Sequence, residues 1–121
     1  MSAFNWIVFS ARCPKCHIDT TIKAQCHVAS SFRGDEYGRF CDNEYRLGEK
    51  MRWWPQEKDA TYSWISEDAV KVTDDSVQEC CYSKCCNCQT SLYAIITFLD
   101  ITPIAIDEIG LEINWPDGYY K

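Results

Sequence analysis

The stretch "VQECCYSKCCNCQTSLYAII", residues 77 to 96, sets two strand-like segments around a tight cysteine turn. Within it "CCYSKCCNC" (80–88) holds five cysteines in nine positions. Cys85 and Cys88 have the C-x-x-C spacing, which lets two thiolates approach one ion from the same side while turn N–H groups point at the sulfurs. "SLYAIITFL" (91–99) is rich in β-formers and nearly free of polar residues, as expected of a central strand.

The same grammar occurs near the start of the chain. "CPKC" gives Cys13 and Cys16, between "NWIVFSA" (5–11) and "HIDTTIKAQCHVA" (17–29). In the second of these Ile18, Thr20, Ile22, Ala24, Cys26 and Val28 alternate with Asp19, Thr21, Lys23, Gln25 and His27. That period of two predicts a half-buried strand. Two knuckles supply four sulfurs, and a tetrahedron of thiolates suits Zn²⁺ at about 2.3 Å per bond. The predicted ligands are Cys13, Cys16, Cys85 and Cys88. Four thiolates leave no position open for water or substrate, so the predicted zinc is structural.

Alternatives remain at this level. Iron in a four-thiolate site has the same ligands. Cys81 is the rival for one of the four ligand positions, since Cys81-x3-Cys85 also has a workable bite. Cys86 should point away from the metal. Cys80 and Cys81 alternate on a strand, so at most one should face the core. A second site from Cys26, His27 and Cys41 with Cys80 or Cys81 is disfavoured, because neighbours on a strand face opposite sides.

The paired knuckles at Cys13/Cys16 and Cys85/Cys88 resemble the zinc-ribbon class. Period-two patterning through most apolar runs predicts a single, mainly β domain with small α content, and the resemblance implies that a zinc staple joins its N-terminal and C-terminal hairpins. There are two departures. His17 and Gln89 stand where ribbons often have glycine, and 68 residues separate Cys16 from Cys85, so the insert must form most of the domain. Over its whole length the chain is similar to small bacterial zinc-ribbon proteins. The features are "CPKC", "GDEYGRFCDNEYRLGEKMRWW", "CCYSKCCNC", "LYAIITF" and "DGYYK". Some acidic members of that size look like immunity proteins that neutralise a toxin domain. A protein partner, in particular a basic toxin domain, is what that resemblance implies.

The chain has 121 residues, enough for one domain over 1–121. It has no apolar run of roughly 18 residues and no signal-peptide pattern, so the expected setting is a reducing cytoplasm. There nine cysteines point to metal or redox chemistry rather than disulfides. Charge is uneven. Residues 1–56 carry eight Lys/Arg and six Asp/Glu, while 57–121 carry four and twelve. The acidic half disfavours phosphate contacts and would steer a basic partner. The predicted partner-binding residues are Trp64 as anchor with Glu67, Asp68, Asp74 and Asp75; the competing role for Trp64 is to pin its segment to the core. A nucleic-acid reading would use Trp53, Trp54, Trp64, Trp115, Tyr119 and Tyr120 with Arg33, Arg39, Arg46, Lys50 and Arg52. No oxyanion hole or phosphate-cradling glycine loop is legible, so the expected protein is not an enzyme. A redox dithiol at "CPKC" is disfavoured because its flanks read as strands.

The remaining expectations are local. "GRFCDNEYRLG" and "KMRWW" predict strands around a Gly48 turn, Ser66 to Val70 a short helix, and "SSFRGDEYGRF" an exposed loop. "PDG" predicts a turn followed by exposed aromatics.

Overall fold

The computed structural model describes residues 3–31, 40–53, 63–66 and 69–119. The protein is mainly β, as expected. Seven strands form one sheet: β1 (Asn5–Arg12), β2 (Asp19–Cys26), β3 (Glu44–Tyr45), β4 (Val70–Lys71), β5 (Ser76–Cys85), β6 (Ser91–Leu99) and β7 (Thr102–Leu111). A 3-10 turn, Glu112–Asn114, follows β7. The order is β3-β1-β2-β5-β6-β7, with β4 added on β5. Among the described residues only β3 pairs in parallel; the other strand pairings are antiparallel. Among the described residues no helix is long and apolar enough to cross a membrane.

Two hairpins form the frame. β1 and β2 pair from Asn5↔Cys26 to Arg12↔Asp19, and β5 and β6 from Ser76↔Leu99 to Lys84↔Ser91. β2 then pairs with β5 through Ile22↔Cys85, Lys23↔Lys84, Ala24↔Ser83 and Gln25↔Tyr82. Each strand's inward residues build one core: Ile7 and Phe9, Ile22, Ala24 and Cys26, Val77, Cys81 and Cys85, Leu92, Ala94, Ile96 and Phe98. The alternation predicted for β2 holds from Ile22 to Val28, but Ile18 is exposed because it lies in the turn ahead of the strand.

The sheet curls until its edges meet. β7 carries two bulges against β6, where Asp107 and Ile104 have no opposite residue. Bulges bend a strand and increase its twist. The Gly48 amide donates to the Pro103 carbonyl (2.8 Å) and the Met51 amide to that of Ile101 (2.9 Å), tying the segment after β3 to the start of β7. Gly48 takes φ +89, which supports the predicted turn. The strands expected on either side of it are reduced to β3; Met51 is buried and Trp53 packs on Phe40 without joining the sheet. The expected helix at Ser66–Val70 is corrected at its end, where Val70 belongs to β4, while 67 and 68 lie outside the described residues. The exposed loop expected in "SSFRGDEYGRF" falls on 32–39, also outside them; Ser31 and Phe40 on either side form an isolated bridge.

β7 was not legible as a strand. It follows β6 through Asp100 and Ile101, both at positive φ (47° and 63°). Such turns usually carry Asn-Gly or Asp-Gly, and a β-branched residue there gives no turn signal. The tail is a second correction. The turn at "PDG" forms, with Gly118 at φ +88, but Trp115 and Tyr119 beside it are not free, and Tyr120 lies outside the described residues. Trp115 packs on Tyr82 (4.7 Å between ring centroids) and Tyr93 (6.2 Å), and Tyr119 donates to Gln78. With Cys80 and Ile95 they form a small cluster on the outer face of the sheet. Cys80 and Cys81 are therefore both buried, on opposite faces.

One acid lies in this interior. Glu79, 1% exposed, accepts hydrogen bonds from the backbone amides of His27 (2.9 and 3.0 Å) and Val28 (3.3 Å), and its Oε2 lies 3.0 Å from His27 Nδ1. It fixes the chain where β2 ends. Glu79→Ala leaves those amides without an acceptor and should lower stability by about 3 kcal/mol in urea unfolding, and Glu79→Gln by about half as much.

Candidate metal centre

Each knuckle closes a hairpin, and the two are built alike. The Cys13 amide donates to the Ile18 carbonyl (3.1 Å) and the His17 amide to that of Cys13 (2.9 Å). In the second knuckle Cys85 donates to Thr90 (3.2 Å) and Gln89 to Cys85 (2.9 Å). Turn amides also point at sulfur: Lys15 and Cys16 at Cys13 Sγ (3.3 and 3.4 Å), Cys88 at Cys85 Sγ (3.4 Å). His17 and Gln89 sit at φ 60° and 61°. These are the positions where glycine is favoured, so both departures from the ribbon pattern occupy a conformation that costs an L-residue energy.

β2–β5 pairing sets the knuckles side by side. The Sγ atoms of Cys13, Cys16, Cys85 and Cys88 all lie within 4.8 Å of one another. Across the knuckles Cys13 Sγ is 3.7 Å from Cys88 Sγ, and Cys16 Sγ is 3.9 Å from Cys85 Sγ. Among the described residues this is the one group of Cys, His, Asp and Glu gathered closely enough to hold a metal ion. Cys13 and Cys85 are fully buried; Cys16 and Cys88 are part-exposed.

The surroundings treat the sulfurs unequally. Burial pushes the Cys13 thiol up to about 11, against the pull of the Cys16 and Lys15 amides. Hydrogen bonding from the Thr90 hydroxyl and backbone draws Cys88 down to about 6. Cys16 is lowered by the Ile18 backbone and by the Asn87 side chain, whose Nδ2 lies 3.6 Å from its sulfur. Asn87 thus reaches from one knuckle to the other. Neither Asn87 nor Thr90 was singled out in the sequence. Thr90 lies two residues beyond Cys88, a spacing that could have drawn attention to it; the contact of Asn87 depends on the facing knuckle and has no local signal.

The other cysteines lie elsewhere. Cys81 is buried with Sγ 3.6 Å from the Glu79 carbonyl, outside the group of four. Cys86 is exposed on the knuckle. Cys26 lies in the core near the Val28 carbonyl, and Cys41 Sγ lies 3.9 Å from Asp42 Oδ2. Of the predicted partner-binding residues, Asp74 and Asp75 are exposed in the turn between β4 and β5, and Glu67 and Asp68 lie outside the described residues. Trp64 is part-buried against the main core, and its carbonyl accepts from the Ala29 amide at 2.7 Å. It pins its segment to the core. Of the residues in the nucleic-acid reading, Arg46, Lys50 and Arg52 are exposed, while Arg33, Arg39, Trp54 and Tyr120 lie outside the described residues. Compared with known proteins, the chain matches no family model, no curated protein and no solved structure.

Two measurements test these placements. Trp64→Ala should lower the melting temperature by several degrees, since it removes a large ring packed on the core. His17→Gly should raise stability by about 0.5 kcal/mol, because relief of the left-handed backbone slightly outweighs the added freedom of the unfolded chain, whereas His17→Val should lower it by about 1 kcal/mol.

Proposed function

We propose that this chain is a non-enzymatic β module held by a structural Zn²⁺ ion on Cys13, Cys16, Cys85 and Cys88. One observation carries the reading: the cross-knuckle sulfur separations of 3.7 and 3.9 Å. Bonds of about 2.3 Å to a tetrahedral ion place thiolates about 3.8 Å apart. The donor set also fits the ion chemically. Four sulfurs complete the shell, and the charge of the ion compensates a thiolate at the buried Cys13, where desolvation otherwise opposes ionisation. The zinc-ribbon resemblance agrees with this donor set.

A module so stapled serves by presenting a surface. Asp74 and Asp75, exposed in the β4–β5 turn, support a protein partner of basic character, and the immunity-type role is the form of that reading suggested by the whole-chain resemblance. Such charges speed encounter more than they hold a complex.

Elemental analysis of chain purified under reducing conditions should give one zinc per chain and no iron chromophore. Cys88→Ser should reduce metal content, and chelation should cost most of the folding stability, because metal binding and folding are linked in small domains. Protein that is folded and metal-free, or red from iron, overturns the zinc assignment. Reversal of Asp74 and Asp75 to Lys should slow association with a basic partner several-fold at low salt and much less at high salt.

A further inference from the structure

The outer face of the sheet is only half covered. The tail seals Cys80, Tyr93 and Ile95, but next to it a groove of about 450 Å³ stays open over β1, β2 and β5. Its lining includes Trp6, Lys23, Gln25, Tyr82, Lys84 and Glu112. Lys23 and Lys84 are directly opposite each other in the β2–β5 register, and Gln25 is opposite Tyr82. Like charges facing across strands destabilise a sheet, so this pair is a cost the fold carries. Lys23 meets Glu44 at 3.1 Å, an exposed pair worth little, and its ammonium lies 4.8 Å from the Trp6 ring centre. Lys84 has no ion pair among the described residues. Tyr82 is 37% exposed.

We propose that this groove binds a small aromatic anion of the nucleoside monophosphate type, one per chain. The phosphate would sit over this register pair and supply the countercharge that Lys84 lacks, with the Lys23 ammonium, already held by Glu44, beside it. The planar ring would lie against Trp6 or Tyr82, and the Gln25 amide offers both a donor and an acceptor to its edge. The volume suits one such unit, within the ordinary range for ligand pockets. Glu112 in the lining opposes a second negative charge, which favours a single phosphate over a chain of them.

Calorimetric titration of the full chain with adenosine monophosphate at low salt should give a saturable one-to-one isotherm. Adenosine or inorganic phosphate alone should bind at least tenfold more weakly. Lys84→Ala should weaken the nucleotide tenfold or more with metal content unchanged, and Lys84→Arg should largely restore it. Failure of the monophosphate to bind at millimolar concentration, or equal binding of adenosine, overturns the proposal. So does a Lys84→Ala chain that loses metal but keeps its isotherm, since the lysine then serves the thiolate centre. Affinity that climbs steadily with the length of an oligothymidylate also overturns it, because the ligand is then a strand.

Discussion

Four residue pairs between β2 and β5, from Ile22↔Cys85 to Gln25↔Tyr82, hold the molecule's two hairpins in one sheet. The knuckles depend on that register. Ile22 lies six residues after Cys16, and its partner Cys85 is itself a member of the sulfur group. A slip of one residue would either turn Cys85 toward the outer face or take Ile22 and Ala24 out of the core. The same hydrophobic alternation that buries the strands thus also aims the sulfurs. A metal at the knuckles would lock this register from one end while the core locks it along its length.

Most of the frame could be read from sequence because its signals are local. β1, β2 and β6 announce themselves by alternation or by runs of β-formers, and the C-x-x-C spacing names the four sulfurs. What escaped reading depends on contacts distant in sequence. β7 opens with Pro103 after a turn that uses Asp100 and Ile101 in place of glycine, and it pairs through two bulges that break its period of two. The tail reads as polar and loose because Trp115 and Tyr119 find their partners on β5 and β6, some 20 to 40 residues away. Glu79 reads as one more surface acid, and only the return of the chain at His27 and Val28 supplies donors for it in the interior. Asn87 is of the same kind, since its sulfur partner belongs to the other hairpin.

The cysteines show how residue type and position divide a role. Nine thiols share one chain, yet four converge, and the three others that lie on strands are sorted by the pleat. Cys26 and Cys81 fall on the inward face and behave as small apolar residues, their thiols raised by burial and by Glu79. Cys80 falls on the outward face and is buried only because the tail covers it. Composition alone would assign them all to metal or all to disulfides; strand parity separates them.

The tail also explains why one sheet has a closed and an open outer half. Gly110 lies opposite Tyr93, and an added Cβ there would come within 2.4 Å of the phenol ring. The ring therefore lies over the bare backbone of β7, and its hydroxyl donates to Glu108 (2.7 Å). Tyr93 in that position offers Trp115 a flank, and Tyr82 offers it another. The tail needs both rings, so its cover ends where they end. Beyond Tyr82 the outward residues of β2 and β5 are Lys23 and Lys84, which a tail carrying Glu112, Asn114 and Asp117 does not cross. The groove is thus the part of the outer face that the chain's own aromatics do not reach, bounded on one side by the tail and on the other by Trp6.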